Sequence, residues 1–166
     1  FGTGVVGKTF VPIMFVWFTT IAIIGSFNLI ENLSVFKAFN PYYAFNLLVN
    51  YPGGFWLLGA VFLCTTGAEA LYSDLGHCGK KNIRIGWGFV KVSLLLNYFG
   101  QGALLIQHPE TTNPFFHLAP VWAQFPLVVL STVAAVIASQ ALISGVFSLT
   151  LQSVQLGFLP RVGVMH

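Results

Sequence analysis

The chain has 166 residues, of which 56% are hydrophobic, 16% aromatic and only 7% charged, giving a mean hydropathy of +0.82. Soluble domains carry roughly 25% charged residues, so a surface made for water is excluded. The net charge of +3 comes from seven basic residues that form no stripe, which argues against nucleic acid as a partner and fits loops flanking membrane spans. A helix crossing the hydrocarbon core needs about 20 mainly apolar residues, and four stretches reach that length. The first runs from about Thr9 to Ile30, free of charge, with Pro12 near its start. The second, about Gly53 to Ser73, contains one acid, Glu69. The third, about Ile85 to Ile106, holds Lys91 near its start, and the fourth runs from about Pro120 to Leu149 with a more polar, interfacial stretch expected at Gln152–Pro160.

Alternation of these spans places the segment before Thr9, the Asp74–Arg84 loop and the tail after Leu149 on one side. That side carries Lys8, Lys80, Lys81, Arg84 and Arg161, with Lys91 within snorkelling reach, whereas the other side carries only Lys37. The positive-inside bias predicts that both ends of the chain are cytoplasmic. Tyr42, Tyr43, Tyr51, Trp56 and Trp122 then fall near the outer interface, where amphipathic rings are enriched. Between the first two spans, Asn40-Pro41 opens a stretch to Tyr51 that reads either as a short helix on the bilayer surface or as a loop packed on the bundle. The chain begins at Phe1 without an initiator Met, a basic leader or a cleavage site, and this predicts an internal piece of one transmembrane transport domain covering 1–166. Cys64 and Cys78 lack the spacing of a zinc site or of a redox pair.

The second span holds the chemistry. An ionised carboxylate within a span is expensive unless it meets water, a cation or a proton, and Glu69 is such a group. Just before it, Thr65-Thr66-Gly67 is a weak point for a helix, since Gly costs about 1 kcal/mol relative to Ala and Thr hydroxyls can bond freed carbonyls. Hydroxyls, exposed carbonyls and a carboxylate form an all-oxygen donor set suited to a hard cation, and broken helices of this kind form ion sites in secondary transporters. The competing reading pairs Glu69 with a basic side chain on a neighbouring helix. Tyr72, Asp74 and His77 sit at the cytoplasmic mouth, where Asp74 and His77 either shuttle a proton or hold a metal, or simply cap helices.

On the third span, Asn97 and Gln101 are one turn apart and share a face. Their amides would be unmet in lipid, so they must face the bundle as glue or as part of a wet path, and Gly100 and Gly102 permit close helix approach. The fourth span carries a small-residue stripe at Ala138, Ala141 and Gly145, beside Ser139, Gln140 and Ser144, which either line a path or bond back to their own helix. No nucleophile–base pair, phosphate loop or metal-spaced cluster is visible, so no enzymatic activity and no cofactor are expected.

Taken together, the stretches FGTGVVGKTFVPIMFVWF, LGAVFLCTTGAEALYSDLGHCGKKNIR, LLLNYFGQGALL with the later NPFF, and ASQALISGVFSLTLQSVQLGFLPR resemble the bacterial KUP (HAK/KUP/KT) potassium-uptake permeases. The resemblance implies an all-α membrane protein with a partial inverted-repeat helical bundle, LeuT-like, of the amino acid–polyamine–organocation superfamily. Its four transmembrane helices would correspond to helices five to eight, and the second span to the discontinuous sixth. It further implies potassium uptake coupled to protons in the cell inner membrane. By position, Thr66 and the carbonyls around Thr65 and Gly67 look like potassium contacts, and Glu69 looks like the functional acid of a Gly-x-Glu-Ala motif. Asp74 lies in an Asp-x-Gly-His stretch, while Ser73 and Cys78 depart from the frequent Ala and Phe there. The family's Gly-Asp-Ile-Gly-Thr-Ser-Pro-Leu-Tyr-type motif of the first helix is absent, so this stretch alone is not expected to transport. Potassium, protons and the lipid bilayer are the expected partners, with a homodimer left open. The rival readings are an amino-acid carrier of the same superfamily and a non-transporting membrane sensor or structural subunit.

Overall fold

The computed structural model describes residues 3–65 and 80–160, with side chains over 9–63 and 83–160. Every regular element among them is helical. Helix α1 spans Thr3–Glu31. Its hydroxyls do not stay unmet in an apolar setting: Thr19 and Thr20 donate to the carbonyls of Phe15 and Val16 at 2.8 Å, and Ser26 to that of Ala22 at 2.7 Å. Bonding back by one turn lets a polar side chain ride on an apolar helix.

A short 3-10 helix, Leu33–Phe39, follows, begun by Asn32, whose side chain accepts from the Ser34 amide. Asn40 then accepts from the Tyr42 amide at 3.0 Å, and Pro41 occupies the first turn of α2, Pro41–Asn50. Both devices favour helix initiation, because Asn satisfies an orphan N–H and Pro brings none. The segment read from sequence as helix or loop is therefore a helix. A turn with Gly53 at φ 100°, in the left-handed region that glycine tolerates, leads into α3, Gly54–Thr65.

Helix α4 spans Lys80–Gln107, α5 is a single turn at Pro114–His117, and α6 spans Val121–Gln155. The helix continues beyond Leu149, where the last span was expected to end, through Gln155 and into the stretch expected to be interfacial. Thr150 and Ser153 explain this, since their hydroxyls bond the carbonyls of Val146 and Leu149 at 2.8 Å instead of interrupting the helix. Among the described residues, three helical segments are long and apolar enough to cross a membrane: Thr9–Glu31, Ile83–Gln107 and Val121–Gln155. The apolar part of α3, Gly54–Leu63, is shorter. The expectation of a fourth span to Ser73 depends on residues beyond Thr65 and lies outside the described residues.

The core of the described structure is the pairing of α1 with α4. Phe15 and Phe18 meet Phe89, Gly25 meets Leu96 and Asn97, and Leu29 clusters with Ala103. Both series ascend, so the two helices run parallel. The chain between them must therefore travel back to the opposite end of the pair before α4 begins. Over the far end, the 3-10 helix places Val35 against Leu29 and Ala103, and the rings of Phe36 and Phe39 lie 5.7 and 5.3 Å from that of Phe99. Asn28 donates to its own helix at Ile24 and also to the Leu118 carbonyl, both at 3.0 Å, which fixes the approach to α6 beside the end of α1. Helix α6 starts at that end and so runs opposite to the other two.

Candidate functional site

The residues expected to carry ion chemistry divide into three sets. Thr66, Gly67, Glu69, Tyr72 and Asp74 lie outside the described residues, as does His77. Thr65 closes the described part of α3, and the expected weak point of the helix starts there. Asn97 and Gln101 lie on α4, and Ser139 and Gln140 on α6.

Helix α4 turns a column of polar side chains inward at intervals of four residues. Ser93 is 1% exposed and donates to the Phe89 carbonyl at 3.0 Å. One turn later Asn97 is 5% exposed, and another turn on Gln101 is half-buried. The face expected from the Asn97–Gln101 spacing thus points into the bundle. Asn97 Oδ1 is buried and accepts no hydrogen bond. Leaving a buried acceptor unmet costs about 1–3 kcal/mol, so this atom is the energetic anomaly of the described structure.

The cause of its burial is backbone proximity. A Cβ placed on Gly25 would lie 2.5 Å from the Leu96 carbonyl oxygen and 2.6 Å from Asn97 Cα. One on Gly100 would lie 2.5 Å from the Gly25 oxygen. The two glycines therefore face one another and let α1 and α4 touch along their main chains, as small residues do between membrane helices. Gly102 likewise admits a methyl of Val35, which would stand 2.9 Å from an added Cβ. The sequence reading anticipated Gly100 and Gly102 but not Gly25, which sits in an apolar run with no motif around it. Asn28 and Ser93 were also missed, although a polar side chain in an apolar span is itself the signal for an inward-facing position.

The α6 residues behave differently. Ser139 and Gln140 are exposed, and the hydroxyls of Ser139 and Ser144 bond the carbonyls of Ala135 and Gln140 at 2.9 and 3.0 Å. Among the described residues α6 packs on α1 and α5, and α4 on α1, the 3-10 helix and α5, so the pair on α6 is not brought to Asn97 and Gln101. Ala138 and Ala141 of the small-residue stripe are exposed and Gly145 is half-buried.

Towards the end where α1 and α4 finish, an open cleft of about 580 Å³ is lined by Gln107, His108, Glu110, Thr111, Thr112 and His117. Its side chains are polar, and it adjoins the αL residue Asn113 (φ 63°) that reverses the chain into α5. Among the described residues no three His, Cys, Asp or Glu side chains converge as a metal site would need. At the opposite end Lys91 lies over Trp87, its Nζ 4.4 Å from the ring centroid. Trp87 precedes Lys91 by one turn, so the ammonium reaches back towards the start of α4, in the direction the snorkelling argument required. Tyr42, Tyr43, Tyr51, Trp56 and Trp122, expected at the outer interface, are all exposed.

Comparison with known proteins adds a fold-independent line. The family model described as the K+ potassium transporter integral membrane domain matches residues 1–166. A protein of Flavobacterium psychrophilum named probable potassium transport system protein Kup is 56% identical over 175 residues, covering 100% of this chain and 27% of its own length. One of the same name in Cytophaga hutchinsonii is 55% identical over 174 residues, with the same coverage of each. The low affinity potassium transport system protein Kup of Pectobacterium carotovorum subsp. carotovorum is 54% identical over 168 residues, covering 99% of this chain and 27% of its own. The chain therefore spans about a quarter of the length of these relatives. They are named as transport proteins and not as enzymes. No solved structure matches the chain.

Proposed function

The chain belongs to the K+ potassium transporter family, and on that footing we propose that it forms part of a potassium–proton symporter of the cell inner membrane. The observation that carries this is the match over the whole chain to relatives named for potassium transport. It is supported by apolar helices long enough to span a bilayer and by the oxygen-rich Thr65-Thr66-Gly67-Ala68-Glu69 stretch. In this reading the four spans belong to an inverted-repeat, LeuT-like bundle, the second span is broken near Thr66, and both ends of the chain face the cytoplasm.

Potassium is a hard, weakly hydrated cation that exchanges its water for hydroxyl and carbonyl oxygens at little cost. Thr66 and the carbonyls of Thr65 and Gly67 supply such ligands. Glu69 supplies the coupling, because a carboxylate in a span is neutralised either by a cation or by a proton, and the two choices favour different arrangements of the bundle. Tyr72 and Asp74 line the cytoplasmic mouth and hand the proton on. Asn97 and Gln101 hold the inner face of the third span. The same reading leaves room for a homodimer and calls for no cofactor.

Rubidium uptake by the complete protein in proteoliposomes tests the assignment. Thr66→Ala should raise the KM for rubidium about tenfold, the loss of about 1.4 kcal/mol expected when one good ligand goes. Glu69→Gln should uncouple uptake from a pH gradient. Unchanged uptake and coupling in both variants would remove these residues from the mechanism.

A further inference from the structure

The first turns of α4 carry a basic row on the side turned away from α1. The seam with α1 uses Phe89, Ser93, Asn97 and Gly100. Arg84, Gly88, Lys91 and Leu95 follow one another at intervals of four, three and four residues, so they stand in one row, on the other side of the helix from that seam. Trp87 lies beside the row, and the Lys91 ammonium rests over its ring, 4.4 Å from the centroid. Lys91 stands about 12 Å along the axis from Ile83, where the span begins. By folding back one turn it brings its charge level with Trp87, about 5 Å along the axis from Arg84. Two cations are thus gathered at the level where the helix enters the membrane. The described acids, Glu31 and Glu110, belong to the far end of the pair. A Cβ added to Gly88 would meet nothing within 4 Å, so the space between Arg84 and Lys91 is open. Deeper in the span, Leu95 is exposed and continues the row with an apolar surface.

We infer that this row binds one anionic phospholipid, with its phosphate between Arg84 and Lys91, its glycerol backbone over Gly88 and an acyl chain along Leu95. Basic side chains at the membrane surface attract anionic headgroups. Trp87 holds the ammonium in place by cation–π attraction, which lowers the cost of ordering a long lysine side chain when the lipid arrives. A carboxylate of the protein would also suit two cations. A phospholipid suits the whole row, because it brings a charged head and an apolar tail to a basic start and an apolar continuation. The open space at Gly88 fits the same occupant, since the glycerol backbone is the bulk that must pass between the two cations.

The inference needs α4 to span a bilayer and is independent of the ion assignment, so its test does not read transport. The complete protein in a neutral detergent is titrated with phosphatidylglycerol, with phosphatidylcholine as the reference, and bound lipid is counted by native mass spectrometry. The wild type should retain one phosphatidylglycerol in preference to phosphatidylcholine. Arg84→Gln and Lys91→Gln should each weaken that first binding about fivefold, and the double variant about twenty-five-fold. Lys91→Arg keeps the charge and should bind within about twofold of wild type. Gly88→Leu should weaken binding about fivefold with both cations present, and its thermal midpoint should not fall, because the side chain enters open space. Lys37→Gln, which removes a cation at the far end, should change nothing. Equal retention of phosphatidylglycerol by the wild type and the double variant overturns the inference. So does displacement of the lipid by equimolar inorganic phosphate, which would leave the row as a site for the phosphate group alone. A double variant that loses as much thermal stability in phosphatidylcholine nanodiscs as in phosphatidylglycerol ones overturns it too, since the partner of Arg84 and Lys91 would then be an acid of the protein itself.

Discussion

The α1–α4 pair and the α2–α3 arm are built from similarly apolar residues, yet they behave in opposite ways. In the pair, glycine, serine and asparagine are buried, while several phenylalanines are exposed. In the arm no residue of α2 is buried, and Phe55 and Trp56 of α3 are 79% and 82% exposed. Burial in the pair thus does not follow hydrophobicity alone: Ser93, Asn97, Gly25 and Gly100 share the interior with Ile21, Leu29 and Ala103. In a bilayer that is the expected rule: lipid solvates apolar side chains as well as protein does, so association is driven by close packing and polar contacts.

Substitutions can break that contrast or sharpen it. The largest effect is expected from Gly100→Leu, which drives a branched side chain into the Gly25 main chain. Overpacking of this kind costs about 1–3 kcal/mol or more, read as a large loss of folded protein in size-exclusion and thermal-unfolding measurements. Gly25→Ala should give the milder form of the same defect, whereas Gly59→Ala on α3, where an added Cβ meets nothing within 4 Å, should be neutral or slightly stabilising through helix propensity. If both glycines proved equally tolerant, the contrast between pair and arm would collapse.

A smaller effect is expected at Asn28, which ties the approach to α6 to the end of α1. Asn28→Leu should lower stability by about 0.5–1.5 kcal/mol, the net worth of an ordinary hydrogen bond, measured as a shift of the thermal midpoint. Lys91→Met loses the contact with Trp87 and should cost about 0.5–1 kcal/mol. It is best read from the fluorescence of Trp87 in a background in which the other tryptophans, Trp17, Trp56 and Trp122 among them, are replaced by Phe. The smallest change belongs to Ser139→Ala: its hydroxyl only bonds back to Ala135, so stability and rubidium uptake should stay within about 0.5 kcal/mol of wild type. A large loss of uptake there would place Ser139 on the ion path.

Much of the helical layout was legible in the sequence because span length and hydropathy depend on local composition. The apolar stretches within α1 and α4, the choice of a short helix opened by Asn40-Pro41 and the inward face of Asn97 and Gln101 all follow from patterns within a few residues, although α1 and α4 begin at Thr3 and Lys80, ahead of the apolar stretches. The partner of that face was not legible. Gly25 carries no local signal, and its role depends on a helix that begins some fifty residues later. The end of helix α6 at Gln155 was not legible either, because Thr150 and Ser153 look polar in a string of letters but satisfy themselves on their own helix. Of the ion chemistry, Glu69 and the oxygens around Thr66 were singled out by the rarity of carboxylates and glycine breaks in apolar spans, and their geometry lies outside the described residues.

The shared direction of α1 and α4 has a practical consequence. Because Glu31 and Gln107 finish at the same end of the pair, a reporter enzyme joined after Phe39 and one joined after Thr112 must meet the same compartment, whichever compartment that is. A third, joined after Leu156, must meet the other. Such fusions would read the orientation of the chain across the bilayer without reference to any charge on the loops.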